Sequence, residues 1–275
     1  MMRDVILKNA TKEELANAVE ENLHDMFRSM TQVLNGDIEE TATLGRYHTT
    51  PLSPIFKGVF RTRLSLDETD STIEETIDWF KQRNAPFFFW WTGQNTQPAD
   101  LGERLVAHGF SVFEKDAPAM VADIDTLHWD NPRPAELQLN PIENDDQLVQ
   151  WKQVFLEAFG IPEFAGQAWL DATRAVGIGQ TPWQLLLGSV DEQAVCCGLL
   201  YCGAGVAGLI GLGTIPAHRR KGIGSAMQLE RLRIARDMGY QYAVLFASDM
   251  GYSPYLKLGF QDTGRRVSRY LWRAE

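Results

Sequence analysis

The chain of 275 residues has only three cysteines, Cys196, Cys197 and Cys202, an odd number crowded together. Without a C-x-x-C pair or histidines at ligand spacing, they exclude a disulfide framework and a zinc site, and no metal is expected. They read as reduced thiols of a cytoplasmic protein. Positive charge is also short: 26 Lys and Arg face 36 Asp and Glu, a net charge of −10. That balance argues against a nucleic-acid or anionic-membrane partner, though it leaves room for a local basic site. Met1 to Glu14 mixes charges early and lacks an apolar core, so no signal peptide is expected there. The one long uncharged stretch, Gln193 to His218, is followed by Arg219, Arg220 and Lys221, like a spanning helix with a positive flank. Six glycines interrupt it, and Cys202 to Gly205 makes a natural turn, so it reads as a buried β-hairpin and not a membrane helix.

What is present has ordinary globular composition, 44% apolar and 23% charged. At roughly 100 to 200 residues per domain, the length suits two domains. Residues 126 to 136 hold two prolines and no sustained period, which suits a linker. A division into 1–134 and 135–275 places 13 basic and 22 acidic residues in the first part, a net −9, and leaves −1 in the second.

In the second part a strand is predicted over 136–140, then a helix over 145–159 capped by Asn144, with Leu148, Trp151, Phe155 and Phe159 on one face. A shorter helix around 165–175 precedes strands over 183–188, 194–201 and 206–214. After Pro216, Ile223, Met227, Ile234 and Met238 recur at helical spacing until Gly239 stops the helix. Residues 242–247 form an apolar run that suits a strand covered on both faces. A short helix to Leu258 leads to a last strand over 267–272.

Between the strand ending at Thr214 and the helix beginning near Gly222 lies Arg219-Arg220-Lys221-Gly222-Ile223-Gly224-Ser225. Unpaired N–H groups at a helix start, glycines that admit an anion and three adjacent cations make a phosphate cradle. It is not a Walker A loop, because lysine precedes the glycine. Gly203-Ala204-Gly205-Val206-Ala207-Gly208 matches the dinucleotide fingerprint G-x-G-x-x-G, but a strand follows it where a helix is required.

These pieces resemble the GCN5-related N-acetyltransferase (GNAT) superfamily. Thr214 to Gly224 is similar to its acetyl-coenzyme A loop, V-x-P-x-x-[QR]-x-x-G-x-[GA], and Tyr255-Leu256-Lys257-Leu258-Gly259-Phe260 to its Y-x-x-L-G-F. The resemblance covers about residues 136 to 275. It implies that the coenzyme A pyrophosphate lies on the N–H groups of Arg220 to Ser225, that is Arg220, Lys221, Gly222, Ile223, Gly224 and Ser225, with Arg219 shaping the loop. The pantetheine arm pairs with backbone around Leu212, Gly213 and Thr214. Gly208, Gly211 and Gly213 let the thioester approach main chain. Tyr255 occupies the position of the general acid toward the leaving thiolate. A phenol of pKa about 10 protonating a thiolate of pKa about 8.5 is uphill by roughly 2 kcal/mol, so its role reads as hydrogen bonding or proton relay. Two departures stand out. Ser248 replaces a common asparagine, and the strand over 206–214 carries no general-base glutamate, leaving Glu157, Glu163 and Asp249 as available carboxylates.

The first part reads as a worn copy of the second, with an unrelated α+β domain as the alternative. A helix over 74–83, the strand Phe87 to Trp91, a helix over 101–108 and Gly109-Phe110 parallel the later order. Leu105 stands where Tyr255 does, and Asp67, Glu68, Asp70, Glu74 and Glu75 crowd the helix start, repelling a pyrophosphate. The aromatic strand reads as buried and not as a nucleic-acid platform. The fold expected is thus α+β: two GNAT-like domains, each a mixed, mostly antiparallel twisted sheet flanked by helices, the first non-catalytic. The function expected is acetyl transfer from acetyl-coenzyme A to a primary amine of a small molecule or peptide, with cationic acceptors favoured by the acidic first part. Alternatives are a coenzyme A sensor without turnover and a transferase of a longer acyl group, for which the small residues of 208–213 leave room. Two similar domains in one chain suit a monomer, with a homodimer as the alternative.

Overall fold

The structure is a computed structural model that describes residues 5–130 and 132–274. In chain order its elements are α1 (Lys12–Val33), β1 (Asp37–Glu40), β2 (Gly45–His48), β3 (Lys57–Phe60), α2 (Thr69–Gln82), β4 (Phe87–Thr92), α3 (Leu101–Ala107) and β5 (Ser111–Asp123). They continue with β6 (Gln138–Pro141), α4 (Asp145–Phe159), α5 (Glu163–Val176), β7 (Trp183–Val190), β8 (Gln193–Gly203), β9 (Val206–Thr214), α6 (Ile223–Asp237), β10 (Tyr242–Phe246), α7 (Asp249–Leu258) and β11 (Gln261–Arg273). Residues 127–130 and 132–137 belong to no helix or strand.

The chain forms two compact units that do not part at residue 134. One comprises 1–26 and 119–263; the other comprises 27–118 and 264–275. The cut at Pro134 therefore gives way to an interleaved division, in which each unit takes a closing strand from the other part of the sequence. Charge divides differently too, because much of the acidic first part belongs to the unit built mainly from the second.

In the first unit β6, β7, β8 and β9 run antiparallel in that order, and β9 pairs in parallel with β10. The last five residues of β5 close this sheet, Ala119 opposite Phe246 through Asp123 opposite Tyr242. The β8–β9 turn places Ala204 and Gly205 at φ 50° and 75°, the paired positive values of a tight hairpin turn. So the uncharged stretch is a hairpin, and among the described residues no helix is long and apolar enough to cross a membrane. The helix over 145–159 forms as predicted, its Asn144 side chain accepting from the Gln147 N–H at 3.0 Å. No element is predicted from the sequence before Glu74, yet α1 has 22 residues. Its first half supplies Ala18 and Val19 to a core with Ala119, Val206, Tyr242 and Val244. Asn22, 3% exposed, donates to the Gly203 carbonyl at 2.9 Å. Asp25 accepts from the Tyr201 hydroxyl at 2.6 Å.

The second unit repeats the plan: β1, β2 and β3 are antiparallel, β3 and β4 are parallel, and β11 closes on β4 antiparallel. Phe88, Phe89, Trp90 and Trp91 are all buried. Phe88 stacks on Phe80 at 3.8 Å, and the Trp90 indole donates to Thr62 at 2.9 Å. The aromatic run is a core strand, as expected from the acidity around it.

This unit holds a pH-sensitive group. Burial, with a contribution from the Lys57 charge, pushes His48 on β2 down to a pKa of about 4. An unfolded histidine binds its proton near pH 6.5, so stability is full above that value and is lost as pH falls from 6.5 toward 4. Discounted for partial exposure, the loss is about 1 to 2 kcal/mol. Thermal unfolding of wild type and His48→Gln between neutral pH and about pH 4.5 should show a shallower fall for the variant. Parallel curves would remove His48 as the source.

Candidate functional site

The candidate site residues lie in the first unit, where β9 and β10 separate. Their parallel pairing is confined to Ala243 opposite Ala207 and Val244 opposite Gly208. Beyond that point β9 runs on to Thr214 with no ladder partner on the β10 side among the described residues. The cause is local. Cys197 pairs with Gly213 and Leu199 with Ile210, so β9 carries one extra residue across this step. Gly211, at φ 60°, takes the left-handed conformation that such a bulge needs. The bulge bends β9 away and leaves the backbone of Leu212, Gly213 and Thr214 along the opening.

A 3-10 turn, Pro216–His218, carries the chain from β9 to α6. Arg220, at φ 60°, and Gly222, at φ 78°, turn it sharply, and Gly222 caps the helix without any side-chain acceptor. Among the described residues the helical ladder here starts with the bond from the Ala226 N–H to the Gly222 carbonyl at 3.0 Å. Among the described residues no protein acceptor meets the N–H groups of Arg220, Lys221, Gly222, Ile223, Gly224 and Ser225. Six donors lie in sequence where the helix dipole is positive, an arrangement suited to a phosphate or pyrophosphate. Arg220 and Lys221 are exposed beside it and make no ion pair among the described residues. Arg219 differs: its guanidinium donates to the Thr214 carbonyl at 3.0 Å and the Ala158 carbonyl at 2.7 Å. It fixes the loop to β9 and α4, and its charge is directed into that scaffold.

The glycines of β9 do not leave the room that the sequence reading gave them. A Cβ on Gly208 would lie 2.0 Å from Asn22 Oδ1, and one on Gly213 would lie 2.8 Å from the Ala158 Cβ. Those two positions are small because α1 and α4 already fill the space. Only Gly211 is open, its nearest neighbour being Phe155 at 3.7 Å.

Tyr255 is half-buried on α7, its ring 5.7 Å from that of Phe260. Its hydroxyl has no protein partner among the described residues, so it is available to a ligand. Burial raises the phenol above its ordinary pKa, and the positive charge of Arg231 pulls it partly back. Ser248 is exposed and caps α7, its Oγ accepting from the Gly251 N–H at 3.3 Å. The candidate carboxylates separate as well. Glu163 takes the Lys152 ammonium at 2.6 Å, while Glu157 and Asp249 are exposed on α4 and α7. No group of three or more His, Cys, Asp or Glu among the described residues is placed to hold a metal ion.

Sequence reasoning missed Arg231. The predicted helix face ran through Ile234 and Met238, but Met238 is 45% exposed and Arg231 is fully buried. Arg231 lies four residues after Met227 and eight after Ile223, so the helical period does place it on the buried face. Its charge hid it.

The second unit carries Leu105, fully buried, at the position matching Tyr255. The start of α2 there has no glycine loop, and Asp70 in its first turn pairs with Arg104 at 2.7 Å.

No family model and no curated protein matches the sequence. Solved structures do. A GCN5-related N-acetyltransferase from Kribbella flavida is 16% identical with a TM-score of 0.71, over 97% of this chain and 98% of its own. One from Sphaerobacter thermophilus is 14% identical at 0.60, over 96% and 94%. A tandem GNAT protein from the clavulanic acid biosynthesis pathway is 10% identical at 0.60, over 98% of both chains. With two units of matching strand order and these likenesses over nearly the whole length, the chain has the tandem fold of the GCN5-related N-acetyltransferases.

Proposed function

We propose that the first unit binds acetyl-coenzyme A and transfers its acetyl group to a primary amine by direct attack. The observation that carries this reading is the pairing of two features on one strand–helix unit. β9 is opened by a bulge at Gly211, and six N–H groups without a protein acceptor among the described residues follow at the start of α6.

Each residue then has a defined task. The N–H groups of Arg220 to Ser225, with the Arg220 and Lys221 charges beside them, hold the pyrophosphate. Main chain from Leu212 to Thr214 receives the pantetheine arm, and an N–H there donates to the carbonyl oxygen as it gains negative charge. The amine nitrogen bonds to the acetyl carbon while the carbon–sulfur bond breaks. The nitrogen gives up one proton, and the departing thiolate takes one, directly or by relay through the Tyr255 hydroxyl. The acceptor is an amine of a small molecule or peptide. With the space beside Gly208 and Gly213 filled, only Gly211 leaves room for a longer acyl group.

A second reading, a coenzyme A sensor without turnover, is favoured by one observation. β9 carries no carboxylate, and Glu163 is held by Lys152. Calorimetry with acetyl-coenzyme A, followed by a thiol-release assay over a panel of amines, separates the two. Transfer predicts binding and amine-dependent release. Binding with no release on any amine leaves the sensor, and no binding removes both.

A further inference from the structure

Arg231 is a buried cation without a counter-ion among the described residues. Its residue is 0% exposed, and its Nη1 donates to the Leu199 carbonyl at 2.8 Å and the Ile210 carbonyl at 2.9 Å. Nη2 donates to Gln228 Oε1, and Nε is buried with no partner. No carboxylate pairs with it among the described residues. The two carbonyls belong to paired residues at the edge of the β9 bulge. Gly198, which faces the extra residue, leaves space for the guanidinium, for a Cβ there would lie 3.1 Å from Arg231 Cδ and Nε.

Holding two carbonyls needs donors, which a neutral amide supplies; a cation adds a field, and burying it unpaired is costly. The neighbouring titratable groups do not cancel that field. Burial pushes the Cys196 thiol up to about 12 and the Cys197 thiol higher still, so both are neutral at physiological pH. Tyr255 on α7 is raised as well. Glu230 on the same helix is taken by Arg233 at 2.8 Å. Arg231 itself is lowered by burial to about 10, still charged near neutrality.

We propose that Arg231 is a positioning residue for acyl transfer: by bridging Leu199 and Ile210 it fixes the β9 bulge, and its uncompensated charge favours a negative sulfur at the opening that bulge creates. This rests on the acetyl-coenzyme A reading above. It adds a source of leaving-group stabilisation that the Tyr255 hydroxyl alone lacks, since that phenol is the weaker acid of the two.

The test is the ionisation of the coenzyme A thiol in its complex, read from thiolate ultraviolet absorbance against pH, with desulfo-coenzyme A affinity as the control. In wild type the bound thiol should ionise at or below the free value of about 8.5. Arg231→Lys, which keeps the charge, should match it. Arg231→Gln, which keeps a donor and loses the charge, should move ionisation up by about one pH unit, roughly tenfold less thiolate at a given pH. Its desulfo-coenzyme A affinity should stay within about twofold of wild type. The inference is overturned if the Gln variant ionises like wild type, if the Lys variant shifts as far as Gln, or if both ligands lose affinity equally. A wild-type thiol ionising well above the free value overturns it without any variant, should Gln not fold. Absence of coenzyme A binding in wild type removes the underlying reading and this inference with it, whereas binding with an unfavoured thiolate removes this inference alone.

Discussion

Gly224→Glu should abolish acetyl-coenzyme A binding, lowering affinity by at least about 100-fold, or ~3 kcal/mol, while the protein remains folded. The position separates charge from size. A Cβ on Gly224 would meet only Thr214 Oγ1 at 3.6 Å and Leu212 Cδ2 at 4.0 Å, ordinary contacts. A carboxylate in the first turn of α6 also agrees with the helix dipole, so stability should hold or rise slightly. The same carboxylate stands beside the N–H groups proposed to hold the pyrophosphate and repels it. At about 4 Å and an effective dielectric near 20, each unit of like charge costs roughly 4 kcal/mol. Gly224→Ala is the control and should bind within a few-fold of wild type, about 1 kcal/mol or less. Calorimetry on both variants is the measurement. Retained affinity in the Glu variant would show that the loop is not the anion site.

Tyr255→Phe should lower turnover by about 100-fold, the lower end of what a positioned proton donor contributes, with acetyl-coenzyme A affinity within about twofold. The hydroxyl has no protein partner among the described residues, so its removal strands no buried donor or acceptor and thermal stability should not change. A fall in turnover with constant affinity places the hydroxyl in the reaction and not in cofactor binding. An unchanged rate constant removes it from the mechanism.

How much of this was legible varied with the range of the interactions involved. The helix α4 was readable because its cap, Asn144, and its apolar face are local in sequence. The ends of β9 were readable for the same reason, since Val206 and Thr214 lie between a glycine turn and Pro216. The bulge within β9 was not, because it depends on which residue of β8 stands opposite Gly211. The glycines of β9 show the limit more sharply. Gly208 and Gly213 look alike in sequence to Gly211, yet Asn22 fills the space beside the first and Ala158 that beside the second. Only contacts with α1 and α4, distant in the chain, tell them apart from Gly211. The strands β1, β2 and β3 have four residues each, too few for alternation to stand out. Arg231 failed as a prediction for the opposite reason. The period was right and the residue type disguised it.

The interleaving of the units bears on synthesis. The unit that comprises 27–118 receives the strand running from Gly264 only once residues well over a hundred positions later have left the ribosome. Until then Phe87 to Thr92, a run of five aromatics followed by threonine, has no antiparallel neighbour on the β11 side. Domains generally fold in order as the chain emerges, and unpaired apolar edges are where nascent chains aggregate. This protein therefore cannot finish its early part first: a nascent chain stopped at residue 134 would expose an aromatic edge, and cutting the chain there would yield neither half as a folding piece.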